Sequence, residues 1–432
     1  MSKVSVRDRL EQALSRIDDP KGEGARACLT VYADSARAAA DAADARAAAG
    51  MTLGPLDGMI VSIKDLFDVA GEVTRAGSRV LLAEGKAAAV DAPAVARLRA
   101  AGAVIVAKTN MTEFAFSGVG LNPHFGTPGN PHDRSRIPGG STSGGAVAVA
   151  DGMCEIAIGS DTGGSTRIPA ALCGIVGFKP SKQRVPTDGA FPLSTTLDSI
   201  GPMARTVAEC ARADAIMAGE AWRELEVTPL PSLRLGVPQG MPLENLDGVV
   251  ATPCADAMLR IETAGAEVSF VSVPLLDAMA AINARGGFSP AEAFAIHRER
   301  VAARGGGIDP NVRARIERGR SIKPEAYAEM LLERKRLVAA MDALLTDFDA
   351  LMLPTTAIGA PKFSEVETPE TFSEKNMLLL RNPALVNFFD LCAISLPIPR
   401  KGEQVGLMLV ARNGRDRRLF SIAAAVERLF AG

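Results

Sequence analysis

Two glycine-serine clusters carry the residue types most suited to chemistry: Gly139-Gly140-Ser141-Thr142-Ser143-Gly144-Gly145 and Thr162-Gly163-Gly164-Ser165-Thr166. Glycine runs lose much backbone entropy on ordering, so an ordered run signals tight local geometry. Flexible linkers do not bracket an apolar helix-then-strand segment such as the one between these clusters. They read instead as rigid loops presenting hydroxyls and backbone N–H groups at one site. A serine nucleophile there needs a base and donors for an oxyanion. The chain contains no G-x-S-x-G elbow and no S-x-x-K arrangement. Its three histidines, His124, His132 and His297, fall in a Pro/Gly/Asn-rich loop and a charged segment, and read as surface residues. A desolvated lysine can serve as base if it is neutral at working pH. Lys64, at the end of the apolar run Ile60-Val61-Ser62-Ile63, is the candidate. Position alone leaves open a strand-end lysine that reaches solvent or pairs with Asp65.

The elements that must hold these residues alternate in type. Periodicity predicts helices over 5–17, 33–49, 91–101, 143–151, 205 onward, 247–264, 326–345 and 416–430. Short apolar runs predict buried strands at 60–64, 103–110, 154–160, 174–181, 233–238, 267–273, 350–354, 393–399 and 405–412. The last helix places Leu419, Ile422, Ala423, Val426 and Leu429 on one face. The alternation predicts an α/β fold: one large domain, 1–432, around a mixed, mostly buried sheet flanked by helices on both faces. The helical segment 274–347 is placed to form a cap within it.

Composition excludes several classes. A net charge of −2 with no block of like charge argues against nucleic acid or an anionic membrane as partner. The N-terminal amphipathic helix does not read as a signal peptide, and no apolar run reaches membrane-spanning length. Six scattered cysteines without metal-type spacing read as buried thiols in a reducing cytoplasm. Neither metal nor organic cofactor is expected.

The motifs GGSTSGGA (139–146), GSDTGGSTRIPA (159–170) and GIVGFKPS (174–181), with the lysine of VSIKDL upstream, closely resemble the amidase signature family. Flanking text agrees at GPLDGMIVSIKD (54–65), AVIVAKTNMTEF (103–114), NPHFGTPGNP (122–131) and PLSTTLDSIGPMA (192–204). The resemblance is strongest over 54–210. It implies Ser165 as the acylated nucleophile, Lys64 as neutral base, and Ser141, after a cis Gly140–Ser141 peptide, as proton relay. It further implies an oxyanion hole from the backbone N–H groups of Thr162, Gly163, Gly164 and Ser165, with Thr142, Asp161 and Arg167 in support. Arg167 is either a substrate-carboxylate receptor or the partner of Asp161, and the second reading is preferred. Ser143 and Lys179 read as structural.

The expected activity is hydrolysis of a small-molecule amide to acid and ammonia or amine, with small or medium neutral amides preferred over long acyl chains. The amidase component of tRNA-dependent amidotransferases shares the signature, although SKQRVPTDGAFPLSTTLDS (181–199) reads more like free-standing amidases. A nucleotide-binding role for the glycine loops lacks a P-loop pattern, and a thiol mechanism at Cys173 lacks recognisable partners. Phe114, Phe116, Phe125 and Phe191 could line an acyl pocket or be plain core. A homodimer is compatible with everything above.

Overall fold

Every residue of Ile60–Lys64 is buried, and the strand it forms is flanked on both sides by parallel neighbours. In that setting strands read as continuous apolar runs rather than alternating ones. The computed structural model describes residues 4–432. Its strands are β1 (Cys28–Val31), β2 (Ile60–Lys64), β3 (Val104–Thr109), β4 (Ile156–Asp161), β5 (Val176–Lys179), β6 (Ser199–Ala204), β7 (Arg234–Pro238), β8 (Glu267–Val271), β9 (Ala350–Pro354), β10 (Cys392–Pro397) and β11 (Gly406–Ala411). They form one mixed 11-stranded sheet ordered β1-β3-β2-β4-β6-β5-β10-β11-β9-β7-β8. The first six strands fill one half and the last five the other. The halves meet where β5 and β10 pair antiparallel, with Lys179 opposite Ala393.

Both faces are covered. Side chains alternate across a strand, and in β3 Val104 and Val106 join one buried cluster while Ile105 joins another. The first cluster takes Leu10 and Leu14 from helix Val6–Ile17 and Ala148 from helix Ser143–Ala150. The second takes Leu419, Ile422 and Val426 from helix Asp416–Ala431. Between β8 and β9 the chain is helical at Leu275–Asn283, Phe288–Arg304, Pro310–Glu317 and Pro324–Leu344. Among the described residues, no helix is long and apolar enough to cross a membrane.

Three expectations need correction. Strand β6 sits centrally between β4 and β5, where the sequence pattern predicts no strand; Gly201 and Pro202 interrupt its apolar run. Strand β1 is also absent from the expected set, because four residues hard against a helix give too short a signal. Strand β8 is a largely exposed edge rather than a buried strand, with Phe270 68% accessible.

Candidate active site

The parallel strands β2, β3 and β4 end at one place. Their register sets Ile63 beside Ile158, so Lys64 comes level with the end of β4. There its Nζ donates to Ser160 Oγ at 3.0 Å. The segment preceding helix Ser143–Ala150 is tied to both neighbouring strand ends. The Thr112 N–H donates to the Ser141 carbonyl, the Gly144 N–H to the Asn110 carbonyl, and the Thr142 N–H to the Ser165 carbonyl at 3.3 Å. Lys64 Nζ donates to the Ser141 Oγ so positioned at 2.7 Å. The Gly140–Ser141 peptide is cis. A Cβ on Gly140 would lie 2.7 Å from Gly120 Cα, so a larger residue does not fit there.

Lys64 is fully buried, and its partners are hydroxyls rather than carboxylates. Burial pushes its amine down to about 7, against an upward pull from Asp161 and Asp198. Asp65 does not pair with it. That carboxylate accepts from Arg75 Nε at 3.0 Å and from the Gly77 N–H at 3.2 Å. The reading of Lys64 as a lysine reaching solvent is therefore set aside.

The loop after β4 is built on Asp161. Its carboxylate accepts from Arg167 Nε and Nη2, the Gly164 and Thr166 N–H groups, Thr166 Oγ1 and Asn387 Nδ2. Burial acts to raise this carboxyl, but the buried Arg167 guanidinium overrides it and holds the group well below the usual range. Arg167 also donates to the Pro383 carbonyl and Asn387 Oδ1. It is committed to bracing the loop and is not a free carboxylate receptor. The Gly164 N–H, donating to Asp161 Oδ1 at 2.8 Å, is likewise withdrawn from the expected oxyanion donors. No acceptor among the described residues pairs with the N–H of Thr162, Gly163 or Ser165. Gly164 has φ +126°, and a Cβ there would come 2.5 Å from that of Pro383. Asp161→Ala would leave Arg167 buried without a counter-charge. It is expected to destabilise the fold by about 3–5 kcal/mol, read as a lower urea midpoint, with Asp161→Asn losing less.

Three site neighbours carry no signal strong enough to single them out in sequence. Ser160 is the second acceptor for Lys64. Asn387 joins the far half of the chain to Asp161, donating to its carbonyl and carboxylate. Asp198 accepts from Thr162 Oγ1 at 2.5 Å and from the Leu193 and Ser194 N–H groups. Burial raises its carboxyl to about 6.

Thr162, Gly163 and Ser165 open onto a cavity of about 600 Å³. Phe116 lines it, whereas Phe114 and Phe191 stack on each other with centroids 5.9 Å apart and Phe125 is also not part of its wall. The Thr142 hydroxyl has no partner among the described residues, and its side chain packs against Gly159. Lys179 donates to the carbonyls of Pro180 and Leu391. His124 pairs with Glu113, and His132 with the Cys173 carbonyl. His297 corrects its surface assignment: it is fully buried with its ring 4.1 Å from that of Phe114, on the inward side of a charged helix. All six cysteines are free and buried, and burial raises the Cys173 thiol, which disfavours a thiolate there. Among the described residues no group of three or more His, Cys, Asp or Glu is placed to hold a metal.

Known proteins resemble the chain throughout its length. The Amidase family model matches residues 8–420. A 2-amino-5-chloromuconic acid deaminase from Comamonas testosteroni is 36% identical over 401 residues, spanning 91% of this chain and 86% of that protein. The glutamyl-tRNA(Gln) amidotransferase of Symbiobacterium thermophilum has one subunit that is 34% identical, the match covering 99% of this chain and 94% of that subunit. A crystal structure of an amidase superposes with a TM-score of 0.88 at 33% identity, covering 99% and 96%. This chain belongs to the amidase signature family, and its likeness to amidases supports a hydrolase acting on amide carbon–nitrogen bonds.

Proposed function

We propose that the protein is an amidohydrolase that works through an acyl-enzyme on Ser165, with Ser141 as relay and Lys64 as base. The observation that carries this reading is Lys64: a wholly buried amine with no carboxylate partner, 2.7 Å from Ser141 Oγ. Neutral Lys64 takes a proton from Ser141, and Ser141 takes one from Ser165, whose Oγ attacks the amide carbon. The oxyanion is held by the N–H groups of Thr162, Gly163 and Ser165. Collapse breaks the C–N bond, and the leaving nitrogen recovers the proton through Ser141. Water then adds to the acyl carbon, gives its proton back along the same path, and Ser165 leaves as the hydroxyl. The sum is amide plus water to acid plus ammonia or amine.

The helices between 275 and 344 act as a cap over the cavity, a role supported by Met279, Phe288 and Arg315 in its wall. Six free thiols fit a reducing compartment such as the cytoplasm. The test is a panel of primary, aryl and carboxylated amides, with released nitrogen matched to acid product. Turnover of at least one amide, unaffected by EDTA, is expected. Loss restored only by a divalent metal, or no turnover across the panel, counts against the reading. The likeness to an amidotransferase component supports a second reading, which co-purification of partner proteins would favour.

A further inference from the structure

The cavity that holds Ser165 has an unbalanced wall. Among the described residues Arg315 and Arg381 are its only charged members, with no Asp, Glu or Lys in the lining. Three other guanidiniums each have a carboxylate partner, Arg167 with Asp161, Arg184 with Asp214 and Arg334 with Asp390, although Arg334 Nε also lacks an acceptor. Neither cavity arginine forms an ion pair with a described residue, and Arg315 Nε, Arg381 Nε and Arg381 Nη2 are shielded from solvent without an acceptor. Shielded donors without acceptors are costly and uncommon in folded proteins. Arg315 also lies over the Phe116 ring, its guanidinium carbon 4.7 Å from the centroid. Asn376 adds to the pattern. Its Oδ1 accepts from Ser117 Oγ and the Gly118 N–H, while its Nδ2 has no acceptor.

We propose that the substrate of this site is an amide carrying a free carboxylate, received by Arg315 and Arg381. The remaining wall, with Phe116, Leu193, Met241 and Phe288, suits an apolar spacer between carboxylate and amide. The inference rests on Ser165 marking the reacting end of the cavity. It replaces the expected preference for neutral amides: the arginine visible in the motif is fully engaged, and the two unengaged ones lie far along the chain.

The carboxylate can sit on either side of the scissile bond, and two substrate pairs separate the cases. Adipamate against hexanamide tests the acyl side, and hippurate against N-ethylbenzamide tests the amine side. In at least one pair the anion is expected to exceed its neutral partner in kcat/KM by about 100-fold, the scale of two charge-assisted hydrogen bonds. Arg315→Gln and Arg381→Gln should each cut that ratio tenfold or more. Calorimetric titration of adipate, and of hippurate in a Ser165→Ala background that cannot cleave it, gives a readout independent of turnover: the favoured anion binds with both arginines present, and binding is lost when either is replaced, at unchanged thermal midpoint. Neutral amides preferred in both pairs, or an anion ratio that survives both substitutions, overturns the proposal while leaving the amidase reading intact. If Ser165 is not acylated and nothing is cleaved, the amidase reading fails. In that case anion binding lost in the variants still supports the receptor, and its absence in wild type removes it.

Discussion

Lys64→Arg is expected to lower kcat/KM by at least about a thousandfold, within the range that general base catalysis contributes, and to leave no activity that recovers with pH. Arginine keeps the positive charge but cannot be deprotonated in a protein. If Lys64 acted merely as a fixed cation, the substitution would be tolerated; if it is the base, Lys64→Arg and Lys64→Met should be equally inactive. Wild type adds an independent check. With its pKa pushed down to about 7 by burial, Lys64 is neutral above that pH and charged below it. Activity should therefore fall towards acid, approaching tenfold per unit below about pH 6, and level off above neutrality. Rates measured from pH 5.5 to 9.5, with circular dichroism to confirm folding, decide the matter. Substantial activity in Lys64→Arg, or an acid limb far from neutrality, would require another base.

Ser165→Ala should be more damaging still, with kcat reduced about 10⁴-fold or more, since removing a nucleophile leaves only binding and oxyanion stabilisation. A fluorophosphonate probe should label wild type on the peptide containing Ser165 and leave the variant unlabelled. Ser141→Ala is expected to be intermediate, because a water can stand in for one hydroxyl in a proton relay but not for the attacking oxygen. An active Ser165→Ala enzyme, or a label mapped to another residue, would refute the assignment.

Much of this arrangement is legible in the chain, and the exceptions have physical causes. Strands 60–64 and 350–354 declare themselves because burial on both faces demands largely apolar runs. β6 is equally buried but hidden, because Gly201 and Pro202 carry the composition of a turn into the sheet. At the site, Lys64, Ser141 and Ser165 lie within or beside recognisable motifs, and the sheet register brings Lys64 to Ser141. Asp198 lies in the flanking stretch 192–204 with no role that sequence can assign, since its contact with Thr162 depends on antiparallel pairing of β4 with β6. Gly164 shows the opposite failure: the motif names a donor, but only the folded loop reveals that Asp161 already occupies it. The unengaged state of Arg315 and Arg381 is wholly three-dimensional, because a missing partner leaves no trace in sequence.

The meeting of the two half-sheets at β5 and β10 has an evolutionary consequence. Lys64, Ser141 and Ser165 all belong to the first half of the chain, whereas Met241, Met279, Phe288, Arg315 and Arg381, which help line the cavity, come from the second. On the proposed mechanism the reacting groups thus lie on one stretch, while much of the cavity wall, both of its arginines included, lies on the other, the two joined by the strand pairing and by Arg167 reaching across to Pro383 and Asn387. On that reading, substitutions in the later stretch can exchange one substrate for another while Lys64, Ser141 and Ser165 stay untouched. A lineage built this way can diversify in what it recognises without reinventing how it cuts.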